Sequence, residues 1–132
     1  MNLRISMEIR SYRDLVVWQK AMTLVEAVYL VTRSFPADER FMLTSQLRRS
    51  AVGIPSNISE GHRQGIRSYR RYLRIALGCQ AECETQLELA RRLRMVADEQ
   101  LLPVIELAAT VGRLLHGLLR KLAEAQSAAP NP

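Results

Sequence analysis

From Val17 to Val31, apolar side chains return at every third or fourth position: Val17, Ala21, Leu24, Val28 and Val31, with Trp18, Met22, Val25 and Tyr29 beside them. At about 100° per residue, these nine positions fill roughly half the circumference of a helix. Gln19, Lys20, Thr23, Glu26 and Arg33 occupy the other half. A half-buried strand alternates with a period of two, so this register reads as an amphipathic helix. Helical spacing returns along the rest of the chain, and no alternating run of β-branched residues bounded by turn signals occurs. That argues against a sheet. Aromatic residues make up only 5% of the 132 residues, and the abundant Leu, Ala and Arg are good helix formers.

Four helical segments follow. The first is predicted from about Tyr12 to Ser34 and ends at Phe35-Pro36, with Asp38 as N-cap of the next. The second carries Phe41, Met42, Leu43, Leu47, Val52 and Ile54 up to Pro55. Two readings compete there. The helix passes through Pro55 with a kink, or it stops and Asn57 caps a new turn with Glu60 three residues on. Apolar spacing resumes at Ile58, which favours the kinked helix. In that reading Asn57 and Ser59 satisfy the backbone groups freed at the bend, and Gly53 permits close packing. Glu60 is expected to pair with Arg63 or with an arginine of a neighbouring helix.

Gly61 and Gly65 mark the next connection, and Ser68 is a candidate N-cap for a third helix reaching about Val96. Its apolar face is Tyr69, Tyr72, Ala76, Cys79, Cys83, Leu87 and Ala90. The last segment begins near Asp98, with Pro103 bending it or shifting its start. Leu107, Ala108, Val111, Leu114, Leu115, Leu118 and Leu122 form its stripe. Four amphipathic helices with short connections predict an all-α, antiparallel four-helix bundle with a proline-kinked second helix. It forms a single domain over 1–126, with 127–132 as a disordered tail.

Charge supplies the functional lead. The formal net charge is +6, carried by 17 Arg and 2 Lys against 13 acidic residues. Between Gly61 and Ile75 lie Arg63, Arg67, Arg70, Arg71 and Arg74, with no acidic residue. On a helix, Arg67, Arg70, Arg71 and Arg74 fall within about 100° of arc, opposite Tyr72 and Ala76. Such a stripe repels itself unless an anion or a counter-charged helix face meets it. Guanidinium groups bind phosphate through paired hydrogen bonds. His62 is a further candidate phosphate contact. Tyr69 and Tyr72 occupy the apolar face and read as core.

Cys79 and Cys83 are in phase with Ala76 and Leu87 and read as small core residues. Their spacing is not that of a zinc ribbon, and with His116, expected at the edge of the last helix's core face, a fourth ligand is still missing. No metal or cofactor is implied. Glu82 and Glu84 flank Cys83, point to different sides and are expected to partner Arg48 or Arg49. No nucleophile elbow, phosphate-binding glycine loop or His-Glu-x-x-His motif occurs, so no catalytic residue is assigned and an enzyme is not expected. The N-terminal stretch has no signal-peptide core, and no apolar run of membrane-spanning length is expected. The expectation is a cytoplasmic protein with reduced cysteines.

YRDLVVWQKA, FPADERF, LTSQLRRSAVGIPSNISEG, YLRIALG and ECETQLELA, in that order, resemble the four-helix-bundle proteins of the 23S ribosomal RNA intervening-sequence protein family. The resemblance covers about Tyr12 to Leu93, with QLRRSAVGIPSNISEG its most specific block. It implies a bundle assembling into a ring-like homopentamer. A similar bundle serves diversity-generating retroelements beside a reverse transcriptase and nucleic acid. The family usually has Ser at the position of Cys79, Leu at that of Cys83, and a differently spaced basic turn after Glu60-Gly61. The expected function is an oligomeric, non-enzymatic bundle that binds RNA or DNA. The alternative is a protein-binding adaptor or accessory subunit that meets an acidic partner.

Overall fold

The computed structural model describes residues 9–128. Four helices carry the chain: α1 Val16–Thr32, α2 Leu43–Arg63, α3 Ile66–Arg92 and α4 Asp98–Ala128. Short 3-10 turns, Tyr12–Asp14 and Ala37–Glu39, precede α1 and α2. Each helix packs on its neighbours in sequence, and α4 closes the square against α1. Cross-helix pairs fix the antiparallel sense. Ser50 bonds Gln86, Gly53 meets Cys79 and Gly61 meets Tyr72, so later residues of α2 face earlier residues of α3. The four-helix bundle expected from the sequence is the fold.

Helix ends depart from expectation where side-chain caps were assigned from residue type alone. The first helix is split, because Ser11 and Asp14 close a capping box around the Tyr12–Asp14 turn and Leu15 is extended. Asp38 does not cap α2. It lies within the Ala37–Glu39 turn, and Glu39 Oε2 instead accepts the Leu43 N–H at 3.2 Å. Phe41 and Met42 therefore precede the helix and are exposed rather than part of its apolar face; Val52 is also exposed. Ser68 does not cap α3, which starts two residues earlier, directly after Gly65 at φ 95°. The third helix ends at Arg92, short of Val96. Arg94 adopts a left-handed φ of 55°, and the Met95 N–H reaches the Ala90 carbonyl at 3.0 Å. With the Arg94 N–H on the Arg91 carbonyl, these two bonds make a Schellman closure with arginine where glycine is usual. Pro103 lies inside α4, so the helix start is not shifted to it. The helix also takes in Ser127 and Ala128, and residues 129–132 of the expected tail lie outside the described residues.

Leu24, Leu47, Ile54, Ile58, Leu73, Leu87, Leu101 and Leu115 are fully buried, and every helix contributes at least one. Each such side chain contributes roughly 1.5–3 kcal/mol relative to exposure. Three buried polar side chains are paired, whereas the Tyr69 hydroxyl and Arg70 Nε are buried without a partner among the described residues. Thr32 Oγ1 donates to the Val28 carbonyl at 2.7 Å, Ser50 Oγ to Gln86 Oε1 at 2.7 Å, and Gln80 Nε2 to the Ala108 carbonyl at 2.9 Å.

The closest interhelical seam is α2 against α3, and glycine makes it possible. A Cβ on Gly61 would stand 2.6 Å from Tyr72 Cβ and 3.2 Å from Tyr69 Cα, and one on Gly53 would stand 2.8 Å from Cys79 Sγ. Gly61 is thus a packing residue inside α2 rather than punctuation after it. The helix continues through Pro55, which is buried. The alternative reading, a stop with Asn57 and Glu60 capping a new turn, is therefore overturned. Asn57 Nδ2 donates to the Gly53 carbonyl at 2.7 Å, and Ser59 Oγ to the Ser56 carbonyl at 3.0 Å. Neither reaches the Ala51 carbonyl, the acceptor that Pro55 leaves without its helical donor. The expected compensation by Asn57 and Ser59 is not made.

Contrary to the sequence expectation, one helix, α4, is long and apolar enough to cross a membrane by length and composition. In the bundle, its Leu101, Val104, Ala108, Val111 and Leu115 are buried against the other helices.

Candidate nucleic-acid interface

Only Gln64 and Gly65 separate α2 from α3. The positive φ of Gly65 turns the chain so tightly that Arg67, Arg70, Arg71 and Arg74 fall on the first turns of α3. No acidic residue lies in that first turn, and Gly65 offers no side-chain cap. Unpaired amide N–H groups and the arginines therefore place positive charge together at one helix end. His62 and Arg63 close the last turn of α2, where the dipole favours cations. Arg63 is exposed. His62 is half-buried, its ring edge-on to Tyr69 with centroids 5.3 Å apart.

The four-arginine stripe divides. Arg67, Arg70 and Arg74 line a recess of about 370 Å³ together with Gln126 from the last turn of α4. Arg70 is half-buried and its Nη1 donates to Gln126 Oε1. The Nε of Arg70 is buried and has no hydrogen-bond partner among the described residues. Arg71 leans the other way, its guanidinium 5.8 Å from the Tyr72 ring centroid. Tyr69 is buried, as expected of a core residue, and desolvation pushes its phenol up to about 12. Tyr72 is half-buried.

Along α3, counter-charge separates the arginines of the two ends, although Arg10, Arg13, Arg33, Arg40, Arg48, Arg49, Arg94 and Arg120 elsewhere likewise have no carboxylate within 4.0 Å among the described residues. At the far end of α3, Arg91 meets Glu88 at 3.4 Å and Asp98 at 3.9 Å, and Arg92 meets Glu88 at 3.3 Å. Arg113 on α4 meets Glu106 at 3.4 Å. Among the described residues, Arg63, Arg67, Arg70, Arg71 and Arg74 have no carboxylate within 4.0 Å.

The polar residues assigned structural roles are placed differently from expectation. Arg48 and Arg49 do not pair with Glu82 or Glu84. Arg48 turns toward α1, donating from Nε to Thr32 Oγ1 at 2.9 Å and lying 4.6 Å above the Tyr29 ring. Arg49 is exposed, as are Glu82 and Glu84, and Glu84 accepts from Gln80 Nε2. Glu60 accepts from Gln64 Nε2 at 2.7 Å rather than pairing with Arg63, because one helical turn brings Gln64 to it. Cys83 is buried, and desolvation raises its thiol to about 12; burial also raises Cys79. Among the described residues no group of three His, Cys, Asp or Glu side chains is arranged to hold a metal. His116 is exposed, not at the core edge.

Two features escaped the sequence reading. Gln126 joins the arginines only through the α3–α4 register, for which no local pattern exists. A second basic recess, about 460 Å³, lies on the α1–α2 side with Tyr29, Arg40, Phe41, Arg48, Arg49 and Val52 among its walls. Phe41 is 82% exposed, with the Arg40 guanidinium 5.3 Å from its ring centroid.

Architecture and charge together define a small all-α bundle protein with a basic helix end. The family described as 23S rRNA-intervening sequence protein matches residues 13–117. The chain belongs to that family, and the match runs beyond the quoted motifs into α4. One solved structure, described as a protein with unknown function from the S23 ribosomal protein family of Bacteroides thetaiotaomicron, superposes with a TM-score of 0.73 at 24% identity. The alignment covers 80% of this chain and 96% of that one, and at this identity it establishes the fold. No curated protein matches the chain. Neither the family description nor that of the solved structure names an enzymatic activity.

Proposed function

We propose that this chain is a non-enzymatic, homo-oligomeric bundle of the cytoplasm that binds nucleic acid through the arginine-rich start of α3. The observation that carries the reading is the cluster Arg67, Arg70, Arg71 and Arg74 on one helix end, without a carboxylate within 4.0 Å among the described residues. Elsewhere on the same helix the bundle pairs its arginines. An unpaired cluster suits a polyanion whose phosphates release counterions on binding. The test is affinity for RNA and DNA oligonucleotides across a salt series. Log affinity falls linearly with log salt, and each arginine-to-alanine change in the cluster lowers the slope by about 0.7–0.9. No binding to either polymer at low salt overturns the reading.

Self-association is supported by exposed apolar residues that share the recess on the α1–α2 side: Tyr29, Phe41 and Val52. Their basic recess can be met by a face of α3 carrying Glu84, Glu88, Leu89 and Arg92, where Glu88 is shared with Arg91 and Arg92. Surfaces that differ but complement each other join copies head to tail, and a ring closes such contacts without loose ends. A homopentamer is the assembly implied by the family resemblance. Light scattering over a concentration series tests it, and a monomer mass at high concentration removes the oligomer from the proposal.

The same recess favours the second reading, an adaptor for an acidic protein. Tyr29 and Phe41 offer apolar area, while Arg40, Arg48 and Arg49 supply charge. Salt-sensitive capture of an acidic protein together with failure to bind RNA or DNA selects it.

A further inference from the structure

We propose that Arg67, Arg70, Arg74 and Gln126 form a seat for one phosphate group, with Gln126 as the residue that positions Arg70. The backbone of a bound nucleic acid is the source of that phosphate, and this attribution rests on the function proposed above; the phosphate chemistry of the seat does not. Three guanidiniums at spacings of three and four residues flank one recess. Arg67 and Arg74 are exposed and free to adjust, whereas Arg70 is half-buried. Gln126 accepts from Arg70 Nη1, which engages one side of the guanidinium and leaves the Nε–Nη2 edge. That edge is one of the two forks with which arginine grips an oxyanion. Its Nε is buried with no acceptor among the described residues, an expensive state for a charged donor. A phosphate oxygen entering between Arg67 and Arg74 supplies the missing acceptor. The start of α3 adds its amide dipoles in the same sense. Arg71, turned over Tyr72, stands outside the seat.

The experiment follows the arginine Nε–Hε signals of the full-length, nitrogen-15-labelled protein by NMR, with Arg70 assigned from the signal lost in Arg70→Lys. Inorganic phosphate and a short single-stranded RNA are titrated separately. The expected result is saturable movement of the Arg70 signal with both probes. Gln126→Leu should weaken the phosphate response about tenfold or more, the lower end of the scale of one hydrogen bond to a charged group. Arg71→Ala should leave the phosphate response intact. An unmoved Arg70 signal, or a response indifferent to Gln126→Leu, overturns the seat. If RNA still binds by fluorescence anisotropy in that case, the nucleic-acid function survives without it. If phosphate moves Arg70 and RNA does not bind, the seat stands for free phosphate and the nucleic-acid function falls.

Discussion

The same substitution should have opposite effects at two glycines of this bundle. Alanine is favoured over glycine in a helix interior by about 1 kcal/mol. At Gly78, on the exposed side of α3, an added Cβ meets nothing within 4 Å. Gly78→Ala should therefore stabilise by about 1 kcal/mol, a rise of roughly 4 °C in Tm. At Gly61 the added carbon stands 2.6 Å from Tyr72 Cβ and 3.2 Å from the Tyr69 backbone. Carbon atoms rest at about 3.5–4 Å, so relief requires α2 and α3 to separate by roughly an ångström. Overpacking costs about 1–3 kcal/mol, and because backbone is involved the upper end applies. Subtracting the helix gain leaves a net loss of about 2 kcal/mol, or roughly 8 °C. Urea unfolding followed by far-ultraviolet circular dichroism, at several protein concentrations, gives both midpoints. A shift of the same sign for both variants, with unchanged slopes, would falsify the close-packing account of Gly61.

Gly53→Ala should destabilise less than Gly61→Ala, because the atom it meets is a thiol sulfur at 2.8 Å. Its cost should largely vanish beside Cys79→Ala, a coupling that a double-mutant cycle reads directly. Arg94→Gly should raise stability by about 1 kcal/mol, since a left-handed residue with a Cβ costs roughly that much; no gain in midpoint would count against the strain. Stability should also fall in alkali. Burial raises Cys83 from 9.0 and Tyr69 from 10.0, each to about 12, so the unfolded chain gives up these protons first. It then binds fewer protons than the folded chain, and stability present below pH 9.0 is lost progressively toward about pH 12. Cys83→Ala should flatten the start of that decline, and an unchanged profile would remove the thiol from it.

The helices and their inward faces were legible because a 3.6-residue period survives whatever the partners are. Leu47, Ile54, Leu87 and Val111 could be placed in the core without knowing what they touch. Ends were less legible, since a cap is a competition among neighbours. Asp38 has the right chemistry, yet Glu39 reaches the Leu43 amide. Gly65 starts α3 before Ser68 can act because its φ of 95° completes the turn. The arginine stripe was visible on a helical wheel, but its division was not. Whether a guanidinium leans toward Gln126 or over Tyr72 depends on which helix flanks each side of α3. The expected ion pairs of Glu60, Glu82 and Glu84 failed for the same reason: charge alone does not specify distance, and Gln64 and Gln80 are nearer.

The unusual segment around Gly53, Pro55 and Gly61 joins the packing of the bundle to its basic end. Gly61 lets α2 approach α3 at Tyr69 and Tyr72, the residues that bracket Arg70 and Arg71 in sequence. Four residues later the chain turns at Gly65, so the contact at Gly61 helps fix where α3 begins and which way its first arginines face. Gly53 meets α3 at Cys79, more than a turn beyond Arg74. If the nucleic-acid proposal holds, Gly61→Ala should weaken binding several-fold and lower the salt slope by about one phosphate contact, although Gly61 is buried away from any ligand. Gly53→Ala should leave both unchanged. Binding measured well below both melting temperatures keeps the folded fraction constant, so lost affinity reports geometry rather than unfolding. Equal affinities and slopes for the two variants would show that the arginine face is held independently of the α2–α3 seam.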